Sequence, residues 1–371
     1  MQMKDEIFVT RSSLPPIEEY IERIQPLWES RWLTNMGQLH NELEEALKKY
    51  LSVKELSLMV NGHMALEFAI SAMRLPRGGE VITTPFTFIS TTHAIVRNGL
   101  SPVFCDVKED DFTVDEEKIE ALVTDKTVAI VPVHVYGNVC AIEKIETIAD
   151  KYNLKVIYDA AHAFGVKYKG IGVGNFGNAS TFSFHATKVF HTIEGGAVAF
   201  QNPELSKILY NLKNFGIRSE DVVAEVGANA KMNEFCAAMG LCNLSHIEQQ
   251  IVQRKVVVER YRELLEPVRG IRLLRYGKDV TPNYAYFPIV IDESVLGKTR
   301  DEVYNHLKEQ GIHARKYFYP LTSDQACFRN KYKNVPLETA RYLADRVLTL
   351  PLYAELPLNE VEKIVRVALY K

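Results

Sequence analysis

Cysteine is scarce in this chain and poorly arranged for chemistry. There are five in 371 residues, Cys105, Cys140, Cys236, Cys242 and Cys327, an odd number with no C-x-x-C pair. Neither a disulfide framework nor a zinc site is suggested, and buried free thiols in a reducing compartment are the expectation. A surplus of one charge is missing as well: 44 Lys and Arg stand against 47 Asp and Glu, a formal net charge of -3. No basic excess is available to displace counterions, so nucleic acid is not an expected partner. Long apolar runs are absent too. No stretch approaches the roughly eighteen residues of a membrane span, and MQMKDEIFVTRSSLPP lacks the apolar centre of a signal peptide. No membrane partner is expected, and a cytoplasmic location is. Internal repeats and low-complexity segments are also lacking, which removes solenoids and disordered tails.

The remainder is an ordinary globular composition, 47% hydrophobic and 25% charged. The length allows a large core with a smaller domain attached. From Ile17 to Leu51 the apolar residues fall at helical spacing, as in Leu43, Leu47 and Leu51, so a helical N-terminal arm is expected. Short β-branched runs then alternate with helical stretches: SLMV, EVITTP, SPVFCDV, VAIVPVHVYG, KVIYDA and GGAVAF. This alternation argues for an α/β domain around a mostly parallel sheet with helices on both faces. From about Ser245 a charged helical segment, IEQQIVQRKVVVERYRELLEP, leads into NYAYFPIVI and a smaller α+β domain. The expected division is 1–244 and 245–371.

In such a sheet the chemistry gathers where strands end and turn toward helices. Asp159 ends the apolar run of IYDAAHAFG, where a carboxylate is costly unless a cation or donor meets it. A helix N-cap is one reading; the other pairs it with the protonated ring nitrogen of a cofactor. Lys188 follows 29 residues later inside SFHATKVFHTIEGG, an apolar setting that favours a neutral, nucleophilic amine able to form a Schiff base. In VNGHMALEF, Gly62 opens a helix whose first amides can receive a phosphate, and Ser183 offers a hydroxyl. Phe86 in TTPFTF is suited to lie on a heteroaromatic ring or to pack in the core. His162, likewise, is a candidate site residue or a core histidine. The six-residue spacing of His185 and His191 matches no common metal motif, so no metal is expected.

Taken together, LPPIEEYIERIQPLWESRWLTNMGQLHNELEEALKKYL, TPFTFISTTHAI, PVHVYGN, DAAHAFG, SFHATKVFHTIEGG, GANAKMNEF and LPLYAELP, in this order, resemble the sugar aminotransferases named for DegT, DnrJ, EryC1 and StrS. The resemblance runs nearly end to end. It implies the fold-type I aspartate aminotransferase architecture and pyridoxal 5'-phosphate as cofactor. It makes Lys188 the Schiff-base lysine, Asp159 the partner of the pyridine nitrogen, His162 the neighbour of the phenolic oxygen and Phe86 the aromatic against the ring. Gly62, His63 and Ser183 match phosphate contacts. Asn229 matches an asparagine lent by the neighbouring subunit, which implies a homodimer with shared active sites. NGHMAL departs from the commoner SGTAAL, so at His63 only the backbone contact carries over.

A dehydratase branch of the family has histidine in place of the lysine; with Lys188 present, the resemblance implies transamination. L-glutamate would give its amino group, and a nucleotide-linked keto-deoxysugar would receive it by ping-pong exchange. The wording is most similar to members converting dTDP-4-keto-6-deoxy-D-glucose to dTDP-4-amino-4,6-dideoxy-D-glucose, with a 3-keto or UDP-linked sugar as the alternative. Cell-surface polysaccharide, O-antigen included, or a glycosylated small molecule would be the destination. A non-catalytic regulator retaining the fold is the rival of another class.

Overall fold

The β-branched runs pair into one seven-stranded sheet. In the computed structural model, which describes residues 6–370, its order is Glu55–Met59, Gly196–Phe200, Ala179–Ser183, Lys155–Asp159, Thr127–Val131, Glu80–Thr83 and Ser101–Phe104. Gly196–Phe200 runs antiparallel to both its neighbours, and every other pairing along Ala179–Ser183 to Ser101–Phe104 is parallel. Helices cover the sheet, so its central strands are apolar on both faces and read as unbroken runs rather than alternations. This is the α/β architecture expected from the alternating pattern. The part Met1–Asp5 of the opening stretch lies outside the described residues.

Register positions the site. Asp159 lies opposite Thr181, and Gly196 lies opposite both Ser183 and Met59. Three strand ends therefore open on the same side: Asp159, Ser183, and the Val60–Asn61 turn into the helix Gly62–Ala72.

The arm between Ile17 and Leu51 is not one helix. It forms Ile17–Ile24, Leu27–Ser30 and Gln38–Leu51. Pro26 interrupts the first break, and left-handed Arg31, Asn35 and Met36 (φ 55°, 63° and 57°) turn the chain at the second. The last helix buries Leu39, Leu43, Leu47 and Leu51. Its N-terminal amides at Leu39 and His40 donate to the buried Glu234 carboxylate at 2.8 and 3.1 Å, which complements the positive end of the helix. A Cβ at Gly37 would fall 2.7 Å from that carboxyl carbon, so any side chain there would displace the Glu234 carboxylate.

The C-terminal part hangs on a single helix of 32 residues, Glu234–Leu265. Its early residues Ala237, Ala238 and Leu241 join the main core, and Val257, Val258, Tyr261 and Leu265 join a second core. That second core covers a three-stranded antiparallel sheet, Ile271–Leu273, Phe287–Ile291 and Val347–Leu350. Ile7 belongs to it as well, because Ile7–Phe8 pairs in parallel with Ile312–His313. The helix passes residue 245 unbroken, and the division there stands as a proposal. The five cysteines are free; Cys105, Cys140 and Cys242 are buried as expected, whereas Cys327 is exposed.

Candidate active site

The cradle is built where the turn after Glu55–Met59 meets the strand ends. Asn61 caps the helix Gly62–Ala72 by accepting from the Met64 amide at 2.8 Å. The Gly62 and His63 amides belong to the first turn, where helical N–H groups have no partner within the helix. A Cβ on Gly62 would lie 2.6 Å from Ser183 Cβ, and one on Gly196 would lie 2.6 Å from the Asn61 carbonyl oxygen. Only glycine permits the backbones to approach this closely. Asn61, Gly62, His63 and Ser183 thus form one lip of a cavity of about 550 Å3.

Asp159 stands in that cavity at 6% exposure. Thr91 Oγ1 donates to its Oδ2 at 2.8 Å and the Ala161 amide to its Oδ1 at 3.1 Å. Burial raises its pKa, and these two donors together with the charges of Lys188 and His63 only oppose the shift. The bond to Ala161 closes a local turn, and no helix follows Asp159, so the helix N-cap reading gives way to a turn. It still leaves a buried carboxylate with no cationic partner in contact among the described residues, the environment a protonated ring nitrogen would complete.

His162 is buried, with Nδ1 accepting the Tyr136 amide at 3.1 Å. Burial, with a smaller contribution from Lys188, holds its pKa well below the ordinary histidine value, so the ring is neutral and its proton resides on Nε2. It stacks on Phe318 and meets Tyr286 edge-on, with ring centroids 5.8 and 4.8 Å apart. Lys188, on the turn after Ala179–Ser183, is half-buried rather than sealed. Its Nζ meets the Tyr286 hydroxyl at 3.2 Å.

The cavity brings together Gly62, His63, Asp159, His162, Ser183 and Lys188. Phe86 does not line it. Phe86 is fully buried and packs with Phe112, Tyr136 and Phe318, and the aromatic this loop presents to the cavity is Phe88, 58% exposed at the start of helix Ile89–Arg97. The expectation for Phe86 is corrected accordingly: core packing claims the ring two residues earlier. Asn229 is exposed, bridges to Asn214 and does not border this cavity.

His63 turns its ring to Ser90 Oγ (2.7 Å) and Glu67 (3.3 Å). His191 is a core residue whose Nε2 bonds the Ser13 carbonyl at 2.6 Å, whereas His185 lies at the cavity mouth 3.5 Å from Glu194. No group of three or more metal-ligating side chains occurs among the described residues. The cavity also takes in Tyr286, Arg315, Tyr317 and Phe318, which the sequence reading missed. Only the aromatic density of NYAYF and KYFYP hinted at them.

A model of the DegT/DnrJ/EryC1/StrS aminotransferase family matches residues 16–368. The chain belongs to this family. It is 43% identical over 363 residues to the dTDP-4-amino-4,6-dideoxy-D-glucose transaminase of Shigella dysenteriae, covering 98% of each chain. DesI, solved in the presence of its TDP-sugar product, superposes with a TM-score of 0.94 at 33% identity over 99% of this chain and 93% of that one. The sugar aminotransferase Spr1654 of Streptococcus pneumoniae, a putative assignment in its PLP-form, gives 0.88 at 25% identity and 98% of both chains. The family, the fold and the enzyme class read from the sequence, a pyridoxal-phosphate-dependent sugar aminotransferase, are therefore found.

Proposed function

We propose that the protein transfers the amino group of L-glutamate to dTDP-4-keto-6-deoxy-D-glucose, giving dTDP-4-amino-4,6-dideoxy-D-glucose, with pyridoxal 5'-phosphate as its cofactor. The observation that carries the substrate is the full-length identity to the Shigella transaminase. What supports the cofactor is the fit of the residues present: an uncompensated buried carboxylate, a glycine cradle open to an anion, and a lysine in the same cavity.

The Gly62 and His63 amides and the Ser183 hydroxyl would hold the phosphate, Asp159 the ring nitrogen, His162 the phenolic edge and Phe88 the ring face. Pyridoxal phosphate, when bound, supplies an electron sink conjugated to the carbon that carries the amine. Asp159 keeps a proton on the group it faces, because an unpaired buried carboxylate is unfavourable and a charge-assisted bond relieves it. The amine of Lys188, once free, takes the proton from the donor's carbon and later returns one to the sugar carbon. Phe88, Tyr317 and Phe318 line the cavity with aromatic surface. Arg315 gives its mouth a guanidinium suited to a carboxylate or diphosphate.

A homodimer sharing its sites accords with two features. Leu14, Ile17, Ile21, Trp28 and Trp32 leave large apolar side chains exposed on the arm, and Val226, near Asn229, is 96% exposed. In a second copy Asn229 would complete the phosphate site. A cytoplasmic location is part of the same proposal; among the described residues no helix is long and apolar enough to cross a membrane. Incubation of purified protein with glutamate and a panel of dTDP- and UDP-linked keto-sugars, read by mass spectrometry, tests it. The expected products are 2-oxoglutarate and the 4-amino dTDP-sugar; conversion of a 3-keto or UDP-linked sugar in preference would overturn the substrate.

A further inference from the structure

Among the described residues the Lys188 amine has one hydrogen-bond partner, the Tyr286 hydroxyl at 3.2 Å, and it also lies 5.7 Å from the centre of that ring. Tyr286 is held firmly. It is 6% exposed, edge-on to His162, and packed against Tyr136 and Tyr317. Its loop is anchored by Asn283, 1% exposed, whose Nδ2 donates to the carbonyls of His162 and Phe164 at 2.9 Å each and whose Oδ1 accepts from the Ala285 amide at 3.1 Å. One buried amide thus ties the loop carrying Tyr286 to the loop carrying His162. The void between them, bordered by His162, Lys188, Asn283 and Tyr286, is only about 10 Å3. That is no larger than the lower limit for a single water, so the phenol rather than solvent meets the amine on this side.

A lysine side chain has many rotamers, and a freed amine would disperse through the cavity. We propose that Tyr286 is the positioning residue for Lys188, its hydroxyl holding the amine on one cavity wall whenever the amine is not covalently engaged. The hydroxyl donates to a neutral amine and accepts from an ammonium, so the bond persists in both protonation states. The proton that leaves the donor carbon resides on Nζ and is delivered from Nζ; the tyrosine keeps its own proton throughout. This rests on the aminotransferase reading and extends it to a residue 98 positions away in sequence.

The test uses the full-length protein, wild type, Tyr286→Phe and Tyr286→Leu. Two quantities are read: steady-state kcat and KM, and, with no substrate present, the rate at which added pyridoxal phosphate becomes borohydride-reducible on Lys188. Tyr286→Phe is expected to lose about tenfold in kcat and in the rate of covalent capture, the scale of one hydrogen bond, with KM and noncovalent cofactor affinity unchanged. A Tyr286→Phe variant matching wild type in both rates overturns the proposal, including when Tyr286→Leu is impaired, because packing on His162 would then be its whole role. Equal losses in kcat, KM and cofactor affinity also overturn it. Failure of wild type itself to capture the cofactor on Lys188 overturns the aminotransferase reading instead.

Discussion

The two walls of the cavity are built in different ways. Asp159, Ser183 and Gly62 are placed by sheet register, with each residue at the end of a strand or the start of the following helix. Lys188, Tyr286, Phe318 and Arg315 come from segments far apart in the chain, joined by side-chain contacts such as the Lys188–Tyr286 bond and the His162–Phe318 stack. In the proposed function the first wall would bind and polarise through groups that cannot move far, and the second would bring the Lys188 amine to the reacting carbon. Each substitution below tests that contrast.

Lys188→Ala has the largest expected effect. Turnover falls to background, a loss on the order of 10^4 or more, since general base and covalent link vanish together; noncovalent cofactor binding, followed by equilibrium dialysis, persists because the other wall is intact. Residual activity near wild type would break the contrast outright.

The neighbouring phenylalanines come next. Phe86→Ala removes a fully buried ring and is expected to destabilise by about 3–5 kcal/mol in denaturant unfolding. Phe88→Ala, with the side chain largely exposed, is expected to change stability by less than about 1 kcal/mol and to weaken cofactor binding instead. The reverse pattern would restore Phe86 to the cavity.

How far the site was readable from sequence follows from the same division. Asp159, Gly62 and Ser183 lie at strand ends or just beyond them, and short β-branched apolar runs disclose where strands end; Lys188 stands out instead by its apolar neighbours on the turn after Ser183. Phe86 and Phe88 have equal parity after Pro85, so alternation could not choose between them; the choice is made by the helix beginning at Ile89, which leaves Phe88 at its N-cap. Tyr286 stands 98 residues from Lys188, beyond any local spacing rule. The break of the arm into three helices rests partly on Arg31 and Met36, residues with no marked turn preference.

A smaller effect is expected of Gly62→Ala. The new methyl meets Ser183 within 2.6–2.9 Å, and both groups are held by backbone, so strain of about 1–3 kcal/mol should appear, with weaker phosphate binding. Ser183→Gly in the same chain should recover part of the stability. Additive losses in a double-mutant cycle would show that the two walls of the cradle do not touch.

The smallest expected effect on stability concerns Asp159 and pH. Its folded pKa is raised above the ordinary 3.8, so the apoprotein binds more protons folded than unfolded between those values. Stability attributable to this group is full below the ordinary value and declines as pH rises through the raised one. Asp159→Asn apoprotein is therefore expected to melt a few degrees above wild type at neutral pH and to lose that advantage in acid, where wild type is protonated. Its activity should nonetheless be severely reduced. An apoprotein melting below wild type at neutral pH would mean that the carboxylate is already compensated.

The central claim is that Lys188 and Asp159 serve one cofactor in one cavity, and borohydride reduction of the cofactor-loaded protein followed by peptide mass spectrometry tests it most directly. The expected result is a pyridoxyl group on Lys188 alone, prevented when glutamate is added before the reductant. Modification of a different lysine, or labelling of Lys188 that glutamate does not diminish, would contradict it.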